Sequence, residues 1–141
     1  HYLAASDTDV LYLANRGANG IDGLLASGIG SAVATGRPTT IITGDLGFQH
    51  DVGSLTLMAS SKAPVRVIVV NDGGGRIITR LPQYEAMDGE EFDSLMRTPG
   101  GLDLEAAAGL FGIDYRRVTD LSQLPEAFTD GSAVIEVPID A

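Results

Sequence analysis

Two apolar runs that each end in an aspartate beside glycine constrain this chain more than any other feature. Asp45 closes the run at residues 41–44, and Asp72 closes the run at residues 67–71 and is followed by three glycines. Such β-branched runs are typical of strands buried in a parallel α/β sheet, and both carboxylates would emerge at its carboxyl edge, where ligands bind. Two oxygen ligands with open glycine backbone between them suit a divalent cation that holds a diphosphate.

The two aspartates are separated by about one crossover unit of roughly 30 residues, so we expect them to lie at adjacent strand ends. Either aspartate alone is more typical of a helix cap or a turn. The pair, together with the three glycines at positions 73–75, favours a metal–diphosphate site. Magnesium is the expected ion, because no cluster of cysteine or histidine supports zinc.

Length and charge limit the classes of protein that fit. The 141 residues, 44% of them hydrophobic, predict a single ordered domain over residues 1–141. A net charge of −10 argues against nucleic acid or an anionic membrane surface as the main partner. No apolar run approaches the roughly 20 residues that a membrane span needs.

Cysteine is absent, which excludes a disulfide framework and suits a reducing compartment, so we expect a cytoplasmic location. The chain starts at His1 rather than at a methionine, and its first residues lack the basic and apolar regions of a signal peptide. We therefore expect a trimmed chain that is a fragment of a longer enzyme.

The alternation of apolar runs and helical spacing predicts a three-layer α/β/α fold with a mostly parallel sheet. Strands are predicted at residues 10–14, 39–43, 65–70, 115–118 and 133–138. Helices are predicted along the apolar stripe of residues 21–33, from about residues 50–51 with Asp51 as N-cap, over residues 104–111 with Asp103 as N-cap, and over residues 121–128. The stretch at residues 76–101 is interpreted as a short helix and a long irregular excursion at the active edge.

Other nucleotide-binding motifs are not indicated. The P-loop pattern is absent. The glycine pair Gly28 and Gly30 lies inside a predicted helix rather than after a strand, so it predicts helix packing and not a dinucleotide site.

Three motifs together resemble those of one family of thiamine-diphosphate enzymes. They are Asn-Arg-Gly-Ala-Asn-Gly-Ile-Asp-Gly at residues 15–23, Gly-Asp-Leu at residues 44–46, and Asn-Asp-Gly-Gly-Gly-Arg-Ile at residues 71–77. They look like the C-terminal, diphosphate-binding domain of the 2-succinyl-5-enolpyruvyl-6-hydroxy-3-cyclohexene-1-carboxylate synthases of menaquinone biosynthesis. Most thiamine-diphosphate enzymes have Gly-Asp-Gly where this chain has Gly-Asp-Leu, so Leu46 favours that family over acetolactate synthase or pyruvate decarboxylase relatives.

The resemblance implies roles for individual residues. The side chains of Asp45 and Asp72 and the carbonyl of Gly74 would hold Mg²⁺ or Mn²⁺ against thiamine diphosphate; family members have Asn or Asp at the position of Asp72. The remaining cofactor contacts implied are Gly20, Ile21, Gly44, Leu46, Gly47 and Ile77. Ile21 would be the hydrophobic wedge under the folded cofactor, although as the first residue of an apolar stripe it is more typical of ordinary core.

For substrates, the resemblance implies that Arg16 binds a carboxylate and that Ile77 and Leu81 line the cavity. From the sequence alone, a solvated loop arginine is an equal alternative for Arg16. A guanidinium suits a carboxylate because it can donate two parallel hydrogen bonds.

The implied activity is decarboxylation of 2-oxoglutarate and addition of the succinyl unit to isochorismate. The resemblance also implies a homodimer or homotetramer in which the N-terminal pyrimidine-binding domain of a partner subunit completes the site, so the isolated chain would be inactive. Two alternatives stay open: a free-standing regulatory or binding module with the same fold, and another thiamine-diphosphate decarboxylase or carboligase. Retention of both Asp45 and Asp72 favours an enzyme over a degenerate module.

Overall fold

A four-stranded parallel sheet organises the part of the chain that the computed structural model describes, residues 9–16 and 20–139. Its strands are β1 (Thr39–Gly44), β2 (Val65–Asn71), β3 (Asp114–Arg117) and β4 (Ala133–Pro138). They lie in the order β1-β2-β4-β3, and every neighbouring pair is parallel. The predicted α/β class with a mostly parallel sheet is confirmed. Residues 17–19, within the motif at 15–23, and the chain start at 1–8 lie outside the described residues.

Seven α-helices and three short 3₁₀ helices connect the strands in these described ranges. The α-helices are α1 (Leu24–Thr35), α2 (Asp45–His50), α3 (Leu55–Ser60), α4 (Pro82–Ala86), α5 (Gly89–Met96), α6 (Leu104–Leu110) and α7 (Leu124–Ala127). The 3₁₀ helices are Val52–Ser54, Arg76–Arg80 and Leu121–Gln123. None of the helices in the described ranges has the length and apolar character needed to cross a membrane.

The core lies on both faces of the sheet, because successive side chains of a strand point to opposite faces. Val67 and Val69 of β2 join the larger cluster, and Ile68 between them joins the smaller one. The larger cluster includes buried residues of α1, α2, α3 and α6, and the smaller one includes Ala127 of α7. Helices therefore cover both faces of the sheet, as the three-layer prediction requires.

Helix α1 is shifted towards the C-terminus relative to the prediction. It starts at Leu24, so Ile21 lies in the turn before it, and Val33 at the other end of the expected stripe is 65% exposed. Gly28 packs against β1: a Cβ at this position would collide with the side chain of Ile41. The expectation that this glycine serves helix packing is confirmed.

The helical segment predicted from residues 50–51 is present as the 3₁₀ helix Val52–Ser54, which continues directly into α3, but the Asp51 side chain does not cap it, so the predicted cap is wrong. The chain turns directly from β1 into α2 at Asp45. The two carboxylate oxygens of Asp51 instead accept hydrogen bonds from the backbone amides of Gly23 and Leu25, each at 3.0 Å. Asp51 thus caps the start of α1, a helix to which it is not adjacent in sequence.

The predicted strand at residues 10–14 is also wrong. This segment contains no strand, and all of its residues are exposed, with Leu11 at 60% and Leu13 at 66%. A groove of about 900 Å³ separates it from β1 and α1. An apolar run forms a strand only when its backbone finds a pairing partner, and β1 pairs with β2 alone among the described strands.

The stretch at residues 76–101 is more regular than expected. It contains a 3₁₀ helix and the two helices α4 and α5, and Asp88 caps α5 by accepting from the amide of Glu90 at 3.0 Å. Tyr84 and Phe92 pack edge to face between α4 and α5, with ring centroids 5.0 Å apart. The irregular part of the excursion shrinks to the segment around residues 97–103.

The C-terminal third follows the sequence pattern. Asp103 caps α6 by accepting from the amide of Ala106 at 2.9 Å, as predicted. Strand β4 has the predicted bounds, and β3 begins one residue earlier than expected. The helix predicted at residues 121–128 is a 3₁₀ turn followed by the short α7.

Candidate functional site

The carboxyl ends of β1 and β2 lie side by side and carry the two aspartates. Gly44 is in register with Val70, which places Asp45 and Asp72 just beyond adjacent strand ends, as the sequence predicts. A pocket of about 310 Å³ opens at this edge. Its lining includes Asp45, Gln49, Asn71, Gly73, Gly100 and Leu104.

Asp45 is a partly buried carboxylate with one oxygen that has no hydrogen-bond partner. Its Oδ2 is buried and accepts no hydrogen bond. Burial raises the pKa of Asp45 above its ordinary value, and the negative charge of Asp72 adds to the rise; the backbone amides of Leu46 and Gly74 act in the opposite direction. A buried acceptor without a partner is costly, so a cation at Oδ2 would relieve both the open oxygen and the repulsion from Asp72.

The three glycines after Asp72 form a turn that other residues would not adopt. Their φ angles are 77° at Gly73, 120° at Gly74 and 65° at Gly75, all in the region that favours glycine. Asp72 Oδ1 accepts from the amide of Gly74 at 3.2 Å, which ties the carboxylate to the turn. The turn therefore holds Asp72 beside the backbone that is a candidate metal ligand.

Residues 98–100 pack against the glycine turn, and Gly100 also lies against Asp45 at the pocket. The Gly100 amide donates to the carbonyl of Gly73 at 3.2 Å. A Cβ at Gly100 would lie 3.0 Å from Asp45 Oδ2, and one at Gly74 would collide with the backbone of Thr98 and Gly100. Sequence reasoning missed Gly100, although the Pro-Gly-Gly run at residues 99–101 is a signal of close backbone approach.

Leu46 connects the Gly-Asp-Leu motif after β1 with the glycine turn after β2. A Cβ at Gly75 would lie 2.6 Å from Cδ1 of Leu46, so the leucine of the Gly-Asp-Leu motif packs on the glycine turn. Gly47 packs on the other side, where a Cβ would lie 2.5 Å from Thr43 Oγ1 and 4.0 Å from the Cα of Ile21. Ile21 therefore lies beside the carboxyl end of β1 and is 48% exposed, which contradicts an ordinary core role.

Three predicted substrate residues lie outside this pocket lining. The Arg16 side chain is 64% exposed, and its Nη2 pairs with Asp22 Oδ2 at 3.0 Å. Ile77 and Leu81, on and just after the 3₁₀ helix that follows the glycine turn, are 73% and 41% exposed. The geometry brings Asp45, Asp72 and Gly74 together. Arg16, Ile77 and Leu81 lie on the surface outside the pocket.

The donor set fits a magnesium ion that shares its coordination with a phosphate. Within residues 9–16 and 20–139, no group of three or more His, Cys, Asp or Glu side chains is arranged to hold a metal. Magnesium is commonly held by one or two carboxylates, with substrate phosphates and water completing the octahedron. Asp45 with its open oxygen and Asp72 satisfy that requirement.

Comparison with known proteins identifies the family of the chain. The family model for the thiamine pyrophosphate enzyme C-terminal TPP binding domain matches residues 7–137. The chain is 39% identical over 140 residues to a 2-succinyl-5-enolpyruvyl-6-hydroxy-3-cyclohexene-1-carboxylate synthase of Haloarcula marismortui, and 38% identical over 143 residues to that of Myxococcus xanthus. These matches cover 96% and 99% of this chain but 23% and 24% of the relatives, so the chain spans about a quarter of their length.

A solved structure shows the same fold. It is the thiamine diphosphate-dependent 4-hydroxybenzoylformate decarboxylase of Rhodococcus jostii, with a TM-score of 0.70 and 20% identity over 83% of this chain and 23% of that chain. The family model covers nearly all of the sequence, and the synthases match it almost end to end. The chain therefore belongs to the thiamine pyrophosphate enzymes, as their C-terminal TPP-binding domain.

Proposed function

We propose that this chain supplies the metal–diphosphate half of the active site of a 2-succinyl-5-enolpyruvyl-6-hydroxy-3-cyclohexene-1-carboxylate synthase. The synthase would decarboxylate 2-oxoglutarate and transfer the succinyl unit to isochorismate. Identity of 38–39% to such synthases over nearly the whole chain supports this assignment.

The observation that carries the proposal is the open, buried Oδ2 of Asp45 beside Asp72. In the proposed site the two side chains and the Gly74 carbonyl hold Mg²⁺ or Mn²⁺. Backbone amides of residues 44–47 meet phosphate oxygens. Thiamine diphosphate, when bound, supplies the electron sink that decarboxylation of a 2-oxo acid requires.

The chain's own residues orient the cofactor and exclude water. Ile21 is half exposed beside Gly47, which suits an apolar wedge against a bound ring better than a core position. Gly20 precedes it and has open space around its Cα, so its backbone can approach a ligand closely. Leu46 holds the glycine turn against α2 and keeps the two metal-binding loops in register.

Arg16 is proposed to bind a substrate carboxylate. Its partner Asp22 is partly exposed, and an ion pair open to solvent contributes little stability, so a substrate carboxylate can compete for the guanidinium. Ile77 and Leu81 offer apolar surface next to the glycine turn for the rest of the substrate.

We further propose that the site is completed by the N-terminal pyrimidine-binding domain of a partner subunit in a homodimer or homotetramer, and that the isolated chain is inactive. The exposed apolar side chains of Ile21 and Ile77 near the pocket support a second covering surface.

Calorimetric titration with thiamine diphosphate, with and without Mg²⁺, tests the half-site. We expect Mg²⁺-dependent binding that Asp45→Ala abolishes, because the variant removes the open oxygen. The matched control is Asp114→Ala, which removes an exposed carboxylate at the start of β3 and should bind as the wild type does.

If the isolated chain binds too weakly to measure, the titration is repeated with the pyrimidine-binding domain of a relative added in trans. Binding that is independent of Mg²⁺, or unchanged in Asp45→Ala, contradicts the site. In the assembled enzyme, Arg16→Gln should raise KM for the substrate whose carboxylate Arg16 binds. If the enzyme decarboxylates 2-oxoglutarate but does not transfer the succinyl unit to isochorismate, the result would favour the alternative that the protein is another thiamine-diphosphate decarboxylase.

A further inference from the structure

A second carboxylate lies deep in the sheet, away from the pocket. Glu136 is on β4, one of the two central strands, and is only 4% exposed. All the remaining residues from Ala133 to Val137 are apolar. A carboxylate in such a position is costly unless its oxygens accept hydrogen bonds. Its neighbours therefore decide what it does.

Glu136 has partners from both neighbouring strands. Its Oε1 accepts from Nδ2 of Asn71 at 2.8 Å, at the end of β2. Its Oε2 accepts from the hydroxyl of Tyr115 on β3, and Nη1 of Arg117 lies 3.6 Å from the same oxygen. Both oxygens are thus satisfied, and the bond to Asn71 points towards the carboxyl edge of the sheet.

The side-chain amide of Asn71 is held at both ends. While Nδ2 donates to Glu136, Oδ1 accepts from the backbone amide of Gly73 at 3.0 Å. The reverse orientation would place an oxygen against the carboxylate and an NH₂ group against an N–H, so the hydrogen bonds admit one orientation only. Because the amide group is planar, fixing one end of it fixes the other.

Two consecutive hydrogen bonds therefore connect Glu136 to the glycine turn. Asn71 directly precedes Asp72 and lines the same pocket as Asp45. The turn consists of three residues at positive φ, and Asn71 ties its first residue back to the sheet.

We propose that Glu136 is a positioning residue for the metal–diphosphate turn: it orients the side chain of Asn71, which holds Gly73 and so sets the direction of Asp72. This inference rests on the proposed function for the role of the turn. Glu136 itself lies behind Asn71 and touches neither metal nor cofactor in this arrangement.

Backbone amide exchange at Gly73, measured by NMR on the ¹⁵N-labelled chain without cofactor, tests the connection. Glu136→Leu leaves Nδ2 of Asn71 without its acceptor, and we expect exchange at Gly73 to rise roughly tenfold, the equivalent of about 1.4 kcal/mol. Glu136→Gln keeps an acceptor and should return exchange to near the wild-type rate. The double variant Glu136→Leu/Asn71→Ala should exchange no faster than Asn71→Ala alone, because both changes break one connection.

Tyr115→Phe is the matched control, since it removes the other donor to Glu136 and leaves Asn71 in place. It should lower stability without changing exchange at Gly73. If Glu136→Leu does not fold, Asn71→Ser replaces it: the hydroxyl can still accept from the amide two residues on but is too short to reach Glu136, so faster exchange is expected again.

Unchanged exchange at Gly73 in Glu136→Leu or Asn71→Ser, or additive effects in the double variant, would overturn the positioning role. Mg²⁺-dependent binding of thiamine diphosphate is titrated in parallel and should weaken about tenfold in Glu136→Leu and recover in Glu136→Gln. Failure of the wild-type chain to bind even with the pyrimidine-binding domain added in trans would count against the proposed function, whereas the exchange rates decide the connection between Glu136 and Gly73 by themselves.

Discussion

Glu136 is a buried carboxylate and Asp45 is a partly buried one whose Oδ2 is buried, and the two lie in very different surroundings. Glu136 has a hydrogen-bond donor on each oxygen, supplied by Asn71 and Tyr115. Asp45 has an oxygen that nothing in the described residues satisfies, and the charge of Asp72 lies nearby. A fully partnered buried carboxylate stabilises the fold, whereas one held open costs stability and is typical of a functional site.

Removal of Glu136 should have the largest effect on stability. Glu136→Ala leaves Nδ2 of Asn71 and the hydroxyl of Tyr115 without an acceptor, and each unsatisfied buried donor costs about 1 to 3 kcal/mol. We expect a loss of about 3 kcal/mol in the free energy of unfolding, measured by urea denaturation. Glu136→Gln should lose much less, and equal losses in the two variants would show that the hydrogen bonds do not account for the cost.

The next prediction concerns the close packing of residues 98–100 against the glycine turn and Asp45. Gly74→Ala places a methyl group against the backbone of Thr98 and Gly100 and forces alanine to a φ of 120°, so we expect a loss of about 2 kcal/mol. Displacement of residues 98–100 should also expose Asp45 and lower its pKa. Gly101→Ala is the control, because a Cβ there meets nothing within 4 Å; a comparable loss in this variant would contradict the packing argument.

Asp45→Asn should increase the stability of the chain, whereas the two changes above should lower it. A neutral amide is less costly to bury than a carboxylate, so we expect a gain of about 1 kcal/mol in thermal or urea denaturation together with loss of Mg²⁺-dependent cofactor binding. The raised pKa means that the wild type loses stability as pH rises above the ordinary value of 3.8. The advantage of the variant should therefore grow with pH, and a gain independent of pH would rule out this cause.

The smallest effect is expected in the titration of Tyr115. Burial, together with the hydrogen bond to Glu136, raises the pKa of its hydroxyl from 10.0 to about 12. The associated stability is present below pH 10 and is lost as pH rises through about 12. Absorbance of tyrosinate should show a late step that Tyr115→Phe removes and Tyr84→Phe keeps; a late step that survives in Tyr115→Phe would assign it elsewhere.

The sequence pattern predicted most of the sheet because burial in a parallel strand leaves a local signature. β1, β2 and β4 lie within one residue of their predicted bounds. The segment at residues 10–14 carries the same apolar signature and forms no strand in the structure. Whether an apolar segment forms a strand depends on a second segment that can pair with its backbone, so the sequence of the first segment alone does not predict it.

Local motifs were likewise sufficient for Asp45 and Asp72 but not for their surroundings. A strand end followed by glycine places a carboxylate at the edge of a parallel sheet, and adjacent strands bring two such ends together. Asp51 shows the limit, because a position typical of a local helix cap serves the start of α1 instead. Gly100 is a second residue that local motifs did not predict, because its contact with Gly73 depends on how residues 97–103 return to the sheet.

By itself the sequence determined the α/β class, the two aspartates of the proposed metal site and the glycine turn, because each depends on residues close together in the chain. Only the tertiary structure decided that one oxygen of Asp45 is open and that Glu136 is joined to the turn through Asn71. Asn71 and Glu136 are 65 residues apart, and the packing that leaves Asp45 Oδ2 unpartnered comes from residues 98–100. Contacts between distant segments set burial and hydrogen bonding, and these decide that both oxygens of Glu136 accept hydrogen bonds while Oδ2 of Asp45 accepts none.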